Sequence, residues 1–288
     1  LTVAQSRLAG QPLDSGELVL GLHDRRLDIE TAALRLADGS IVLDGSVNLE
    51  DFFPDGFLTA PTDVDRLTYQ LNMVADIPDL NPWVKRAVDL SGNASGRLSL
   101  NGKGVTPMTM SATAALNGSG QGLLAPGMDR PSAVDVSLAA QMDQGTLTVA
   151  RMGATADGFE LSGDGRFQVD GQALAGNLKL ASADLSRALA VIGMPFIEGA
   201  LQAVISVGGS LSQPQFDLDL TADALNIDAY RLGNVAIQAD MNPDGLLSLT
   251  HLDVQREDSR INGSGRLRLL PGGRVDPDYR HALELTLK

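Results

Sequence analysis

The chain has no cysteine, which excludes disulfide bridges and thiolate metal sites. Aromatic residues make up only 4% of it, although compact enzymes usually fill their cores with more aromatic mass. No apolar run approaches the ~20 residues that span a bilayer, and no charged-then-apolar signal segment opens the chain. Glycine, by contrast, is abundant at 31 residues. Small and aliphatic side chains of this kind suit a surface that packs against something other than itself.

Positive charge is also scarce. Lys and Arg total 22 against 36 Asp and Glu, so the formal net charge is −14. A field of this sign opposes nucleic acids and anionic membrane surfaces. We therefore expect no nucleic-acid partner.

The sequence repeats itself at long intervals. Gly92, Gly102 and Pro107 return 107 positions later as Gly199, Gly209 and Pro214. Gly145, Gly163, Gly165 and Arg166 return 100 positions later as Gly245, Gly263, Gly265 and Arg266. Ala-Leu-Asn at 115–117 returns at 224–226. The repeat predicts an incomplete first unit at 1–91 and further units at 92–198 and 199–288, all in one continuous body.

Between these residues, apolar and polar side chains alternate, which is the period of β-strands. A sheet with one apolar and one wet face is typically antiparallel. Turns are predicted at Asp38-Gly39, Asn101-Gly102, Asp157-Gly158 and Asp244-Gly245. We predict an all-β fold, an elongated, twisted and mostly antiparallel β-meander of roughly 18 strands.

Two short segments have a helical pattern instead. Residues 81–88 begin with Asn81 and Pro82, an N-cap residue followed by a first-turn proline. Residues 182–193 place Leu185, Ala188, Leu189 and Ile192 at helical spacing. Each helix precedes a matched glycine and is predicted to act as a lid or plug along the apolar face of the sheet.

The apolar face must be covered, either by a second sheet or by the sheet curling into a taco-like trough. A trough of Leu, Ile, Val and Met could receive acyl chains, since each buried methylene contributes ~0.8 kcal/mol. The methionines fit core filling as well as an adaptable lipid lining. The residues predicted to line this hydrophobic groove are Leu71, Met73, Leu98, Leu100, Met110, Val136, Leu138, Ile205, Val207, Phe216, Leu218, Leu220, Val235, Ile237, Met241, Leu267 and Leu269.

Residues 199–216 and 259–269 share a cadence of glycine, alternating strand, glycine, and a further alternating strand. In this cadence the chain resembles the TamB-like and wider AsmA-like superfamily of Gram-negative envelope proteins. The resemblance implies a β-groove in the periplasm, attached to the inner membrane through a segment absent from this sequence. It also implies phospholipid transport to the outer membrane and, for the TamB branch, outer-membrane protein assembly with a TamA-like barrel partner. That partner would be bound through parts of the chain not present here.

Residues that could carry chemistry are isolated. The three histidines, His23, His251 and His281, are far apart and are predicted to be exposed. Asp63 with Asp65, and Asp76 with Asp79, have calcium-like spacing, but no loop of the required pattern follows. We interpret them as ordinary turn residues and predict a protein that is not an enzyme and has no metal or other cofactor.

Three functions remain open at this point. The leading hypothesis is a conduit for phospholipid acyl chains between the inner and outer membranes. The second is a periplasmic scaffold or chaperone of the translocation and assembly module for outer-membrane β-barrel proteins, using the open edge strand at 283–287. The third is a β-solenoid adhesin or fibre without a groove. Because the chain begins with Leu1 and ends inside an alternating run, we expect a piece of a longer protein.

Overall fold

The computed structural model describes residues 2–8, 11–36, 38–58, 60–84, 91–124, 130–190, 196–270, 274–275 and 281–287. These residues form eighteen β-strands, two short α-helices and one 3₁₀ turn at Val64–Arg66. The predicted all-β fold class is confirmed as an open antiparallel meander with two short helices. An open sheet of this kind is compatible with a β-groove.

The chain forms two compact units, 1–152 and 153–288. The elements of unit 1 are β1 (Thr2–Leu8), β2 (Gln11–His23), β3 (Arg26–Leu36), β4 (Gly39–Asn48), β5 (Thr68–Ile77), α1 (Asn81–Val84), β6 (Ser91–Lys103), β7 (Ser111–Leu124) and β8 (Ser132–Asp143). Strand β9 (Thr146–Ala156) crosses the boundary between the units. The elements of unit 2 are β10 (Phe159–Gln168), β11 (Leu174–Ser182), α2 (Leu185–Ala190), β12 (Ile197–Gly209), β13 (Pro214–Ile227), β14 (Tyr230–Met241), β15 (Leu246–Arg256), β16 (Ser259–Leu270), β17 (Arg274–Val275) and β18 (Ala282–Leu287).

These units are defined by contacts, whereas the division at 1–91, 92–198 and 199–288 follows sequence similarity. The contact-based boundary lies inside a strand. The three-unit division therefore stays a prediction about the repeat.

Strands pair antiparallel with their neighbours along the chain. In unit 1 this pairing runs from β1 to β8. In unit 2 it runs from β10 to β16, and both β17 and β18 pair with β16. Short turns make such pairing possible, and those at Asp38-Gly39, Asp157-Gly158 and Asp244-Gly245 are confirmed. Their positive φ angles, +64° at Asp38, +75° at Gly158 and +74° at Gly245, are those that tight hairpins need.

The turn predicted at Asn101-Gly102 is wrong, because both residues lie inside β6. Gly102 is paired with Tyr69 on one side and Ala112 on the other. A Cβ atom at position 102 would lie 2.8 Å from the Tyr69 hydroxyl oxygen and 2.5 Å from the Ala112 Cβ. The glycine provides space beneath Tyr69 rather than a change of chain direction.

Some of the repeated glycines have equivalent places in the fold, whereas Gly102 lies inside β6 and Gly209 ends β12 with a φ angle of +84°. Gly92 and Gly199 have φ angles of +120° and +119°, and each lies at a register shift early in its strand. Gly145 and Gly245 both lie in hairpin turns. Six strands, β6 to β11, separate α1 from α2 along the chain. Seven strands, β12 to β18, follow α2, so a unit of one helix and six or seven strands stays a prediction.

The Ala-Leu-Asn match does not belong to this structural repeat. Residues 115–117 lie in the regular part of β7, paired on both sides. Residues 224–226 lie at the end of β13, beyond a register shift after Ala222. The sequence match therefore joins positions with different backbone roles.

Both predicted helices exist within narrower bounds. Residues 85–88 and 191–193 of the two predictions lie outside the described residues. Helix α2 starts later than predicted, because β11 continues to Ser182. Asp184 then provides the cap, its Oδ1 accepting hydrogen bonds from the Ser186 N–H at 3.1 Å and the Ser186 hydroxyl at 2.7 Å.

Candidate functional site

The strand register assigns each side chain to a face. In an antiparallel pair, directly opposed residues point to the same side, and successive residues alternate sides. Side chains that oppose one another from strand to strand therefore form rows across the sheet. These rows are the structural basis of any surface that the sheet offers.

One face of unit 1 is apolar in every row from β2 to β8. We call it the apolar face of unit 1. Its two central rows consist of Leu20, Ile29, Gly45, Leu71, Leu100, Ala114 and Ala140, and of Leu18, Ala32, Leu43, Met73, Leu98, Leu116 and Leu138. The rows on either side of these two contain Val136 and Met142. They also contain Tyr69, whose side chain ends in a polar hydroxyl.

Unit 2 has an equivalent surface, the apolar face of unit 2. Its three central rows consist of Gly165, Gly176, Val207, Phe216, Met241, Leu247 and Leu267, of Gly163, Leu178, Ile205, Leu218, Ala239, Leu249, Gly265 and Leu283, and of Leu161, Leu180, Ala203, Leu220, Ile237, Leu252 and Gly263. None of these positions carries a polar side chain.

Sixteen of the seventeen residues predicted to line a groove lie on these two faces. Val235 is among them and is buried. Leu269 continues the alternation of β16 beyond Leu267 and pairs with Val275 of β17. Met110 is the exception, since it lies in the β6–β7 connection just before β7. The role of these residues toward lipid stays a prediction.

The sequence reasoning missed several members of the apolar face of unit 2, including Leu178, Leu180, Leu247, Leu249 and Leu252. Their signal is plain alternation, as in Leu178-Lys179-Leu180. In β15 the alternation changes phase, because a register shift separates Leu249 from Leu252. A β-bulge inserts extra residues and changes the direction of the side chains that follow. A search for strict alternation with a period of two therefore does not detect this strand.

Most side chains of the apolar faces are partly buried, with some of their surface still exposed. Only eight apolar side chains of the described residues are buried, and no large side chain among them is fully buried. Val136 and Val207 each keep 39% of their surface exposed. The apolar rows are therefore incompletely covered by protein.

A helix contacts one end of each apolar face. In unit 1, the indole of Trp83 in α1 lies against Gly39, where an added Cβ would be 2.9 Å from the indole nitrogen. In unit 2, α2 lies against β12 and buries Leu185. Ala222, with 2% of its surface exposed, and Val235 are buried on the same face. The contact of Trp83 agrees with the expected position of α1, and the face that α2 covers stays a prediction.

The opposite face of unit 2 is polar. The Ser206 hydroxyl of β12 donates a hydrogen bond of 2.9 Å to Asn177 Oδ1 on the neighbouring strand β11. Arg260 makes two hydrogen bonds to the Asp253 carboxylate, at 2.7 and 2.8 Å. The hydrogen bonds from Arg260 lower the pKa of Asp253 below its ordinary value. The sheet thus separates a hydrated surface from an apolar one.

A shallow pocket of about 370 Å³ lies on the apolar face near the end of unit 2. It is lined mainly by aliphatic residues of β15, β16 and β18, including Leu247, Leu249, Leu267 and Leu283. His281 lies at its border and is exposed. A pocket with this lining suits a hydrocarbon chain and offers little for polar recognition.

The acidic pairs singled out in the sequence have structural roles. Asp63 accepts a hydrogen bond of 3.0 Å from the Asp65 N–H and caps the 3₁₀ turn. Asp65 Oδ1 accepts hydrogen bonds from the Val105 N–H at 3.2 Å and the Thr106 N–H at 3.0 Å. Asp79 accepts one from the Asn81 N–H at 3.0 Å, at the start of α1. The part of the chain that the structure describes contains no group of three or more His, Asp or Glu side chains able to hold a metal ion.

Asp65 gives a prediction about pH. Hydrogen bonds from the Thr109 side chain and the Thr106 backbone lower its pKa from 3.8 to about 2. Because the folded-state pKa lies below the unfolded value, the stabilising contribution is present above pH 3.8 and is lost as pH falls through about 2. We expect the ¹³C carboxyl shift of Asp65 to titrate near pH 2, with the Thr106 amide shift changing in the same interval. Asp65→Asn should abolish both changes, and a midpoint near pH 3.8 would contradict the prediction.

Comparison with known proteins identifies no relative. No family model matches the chain, and neither a curated protein nor a solved structure matches it. Within the described ranges, neither helix has the length and apolar character needed to cross a membrane. The functional argument therefore depends on the chain's own two apolar faces.

Proposed function

We propose that this chain is a non-enzymatic hydrophobic conduit for phospholipid between the inner and outer membranes of a Gram-negative envelope. It would be a periplasmic segment of an AsmA-like or TamB-like protein. The observation that supports this proposal is the extent of the apolar rows, which are continuous within each unit and only partly buried. A sheet that buried these rows for its own stability would leave them dry and fully packed.

The chemistry of the rows suits acyl chains. The central rows consist of aliphatic side chains, glycines, methionine and one phenylalanine, Phe216, and none of their positions holds a fixed charge. Such a surface has no means of recognising a headgroup, but it can gain ~0.8 kcal/mol for every methylene that it removes from water. Half of an acyl chain of sixteen carbons would thus contribute several kcal/mol.

The first experiment is mass spectrometry of lipid bound to the purified chain. We expect phospholipid to be co-purified after extensive washing, and a photoactivatable acyl chain to label the apolar faces. Labelling of Ile205 or Leu218 with none at Gln202 or Thr221, on the opposite face of the same strands, would be the expected pattern. Equal labelling of both faces, or purified protein free of phospholipid, would contradict the proposal.

A further inference from the structure

Two connections at one edge of unit 1 expose a cluster of large apolar side chains. They are the β4–β5 connection, residues 49–67, and the β6–β7 connection, residues 104–110. Leu58 is fully exposed, and Phe57 keeps 45% of its surface exposed. The other exposed members of this cluster are Val64, Val105 and Met108. None of these residues belongs to the apolar rows of the sheet.

Hydrogen bonds and ring contacts hold the β4–β5 connection in place. The Phe53 ring lies edge-on to Phe52 and Phe57, with centroid distances of 4.7 and 5.2 Å. Arg25 Nη1 donates to the Phe53 carbonyl at 3.2 Å and to the Pro54 carbonyl at 2.6 Å. Three of the seven phenylalanines of the chain are concentrated in this one connection. An ordered loop therefore presents Phe57 and Leu58 at its tip.

Most charges of the loop lie away from residues 56–58, but the exposed Asp55 directly precedes them. Glu50 forms an ion pair with Arg25 at 3.6 Å, and Asp51 is 4.0 Å from Lys103. Asp65 is bound to the backbone of the neighbouring connection. Residues 56–62 contain no charged side chain. Residues 56–58 are thus uncharged and apolar with one exposed carboxylate, Asp55, beside them, while Glu50, Asp51 and Asp65 attach the loop to unit 1.

The size and charge of the cluster favour a lipid surface over a protein. A standard protein interface uses about 20–30 residues a side, whereas this cluster has five exposed apolar side chains. A short apolar tip can instead enter the boundary between headgroups and acyl chains of a bilayer. The net charge of −14 opposes anionic surfaces. We propose that the tip at residues 56–58 is a membrane-contact site that inserts reversibly into a zwitterionic phospholipid bilayer.

Flotation with phosphatidylcholine vesicles tests this proposal. The double variant Phe57→Ser/Leu58→Ser should bind these vesicles at least about tenfold more weakly than the original chain, because two apolar side chains lose their burial in lipid. The matched control is Leu211→Ser/Tyr230→Ser, which removes two exposed apolar side chains of unit 2. The control should bind as the original chain does. Binding should also resist high salt, since no ion pair drives it.

Three results would overturn the proposal. They are absence of vesicle binding by the original chain, equal binding by the tip variant, and binding that requires added phosphatidylglycerol. Circular dichroism checks that both variants are folded, which we expect because all four side chains are exposed. The proposal is separable from lipid conduction. Glutamate substitutions on the apolar face of unit 2 should remove bound lipid without affecting flotation, and the tip variant should still co-purify with lipid.

Discussion

In the triple variant Ile205→Glu, Leu218→Glu, Ile237→Glu, the amount of bound phospholipid is expected to fall at least about tenfold. The sheet should remain folded. Ile205 and Leu218 oppose each other, and Ile237 lies in the adjoining row. Three carboxylates at this place would have to be desolvated by an acyl chain, which costs several kcal/mol for each unpaired charge. None of the three positions is buried in the protein itself. Water can therefore hydrate the new carboxylates when lipid is absent, and the fold is retained.

A matched control places the same charge on the other side of the sheet. Gln202→Glu, Thr221→Glu and Gln255→Glu alter exposed side chains of β12, β13 and β15. This variant has the same net charge as the first and should keep its lipid. Bound lipid is measured by mass spectrometry, and folding by far-ultraviolet circular dichroism.

The three functional hypotheses predict different results for this pair. A conduit loses lipid only in the first variant. A scaffold that pairs incoming strands should depend on backbone pairing at residues 283–287 and tolerate both variants. An adhesin with a solid interior should unfold in the first variant, since buried carboxylates are not tolerated. Unchanged lipid content in a folded triple variant would contradict the conduit.

The fold class could be predicted because alternation is a direct consequence of strand geometry. Leu218 and Leu220 share a face because the strand period is two, and no tertiary information is needed for that inference. The pattern also excludes register slips by one residue, since such a slip would move every apolar side chain into water. The sequence therefore predicts the side of the sheet for sixteen of the seventeen residues, within the unit to which each belongs.

The departures from this pattern have local causes. Met110 has the phase of β7, but it precedes the first residue of that strand and so has no assigned face. Leu252 was missed because a bulge changes the phase of β15. Asn101-Gly102 is predicted to be a turn because Asn-Gly is a hairpin signal. The structure gives a different reason for glycine at position 102, which is the close approach of Tyr69. A single sequence does not reveal which glycine makes a turn and which makes space.

The membrane-contact tip illustrates a different limit. Phe57 and Leu58 stand in a segment without strand periodicity, so their exposure cannot be inferred from a pattern. It depends on Arg25, more than twenty-five residues earlier, whose side chain holds the Phe53 and Pro54 carbonyls. Contacts of this kind between distant residues are tertiary information.

Gly209→Ala is expected to destabilise unit 2 by about 2–3 kcal/mol, whereas Gly208→Ala next to it should have little effect. Gly209 has a φ angle of +84°, which a residue with a side chain adopts only with strain. Its added Cβ would also collide with the Gln213 carbonyl oxygen, whereas a Cβ at Gly208 would meet no atom within 4 Å. Urea unfolding followed by circular dichroism gives the free energies. Hydrogen exchange of the β12 and β13 amides localises the change.

The comparison of these neighbours separates two explanations of Gly209. If the turn into β13 needs the backbone conformation of Gly209, only the Gly209 variant should lose stability. If Gly209 keeps the apolar face free of side chains, lipid content should fall and stability should not. Equal effects of both substitutions would contradict the backbone explanation. Because Gly208 and Gly209 share a strand end and differ in φ and in available space, the pair isolates the conformational requirement from general effects of adding a methyl group.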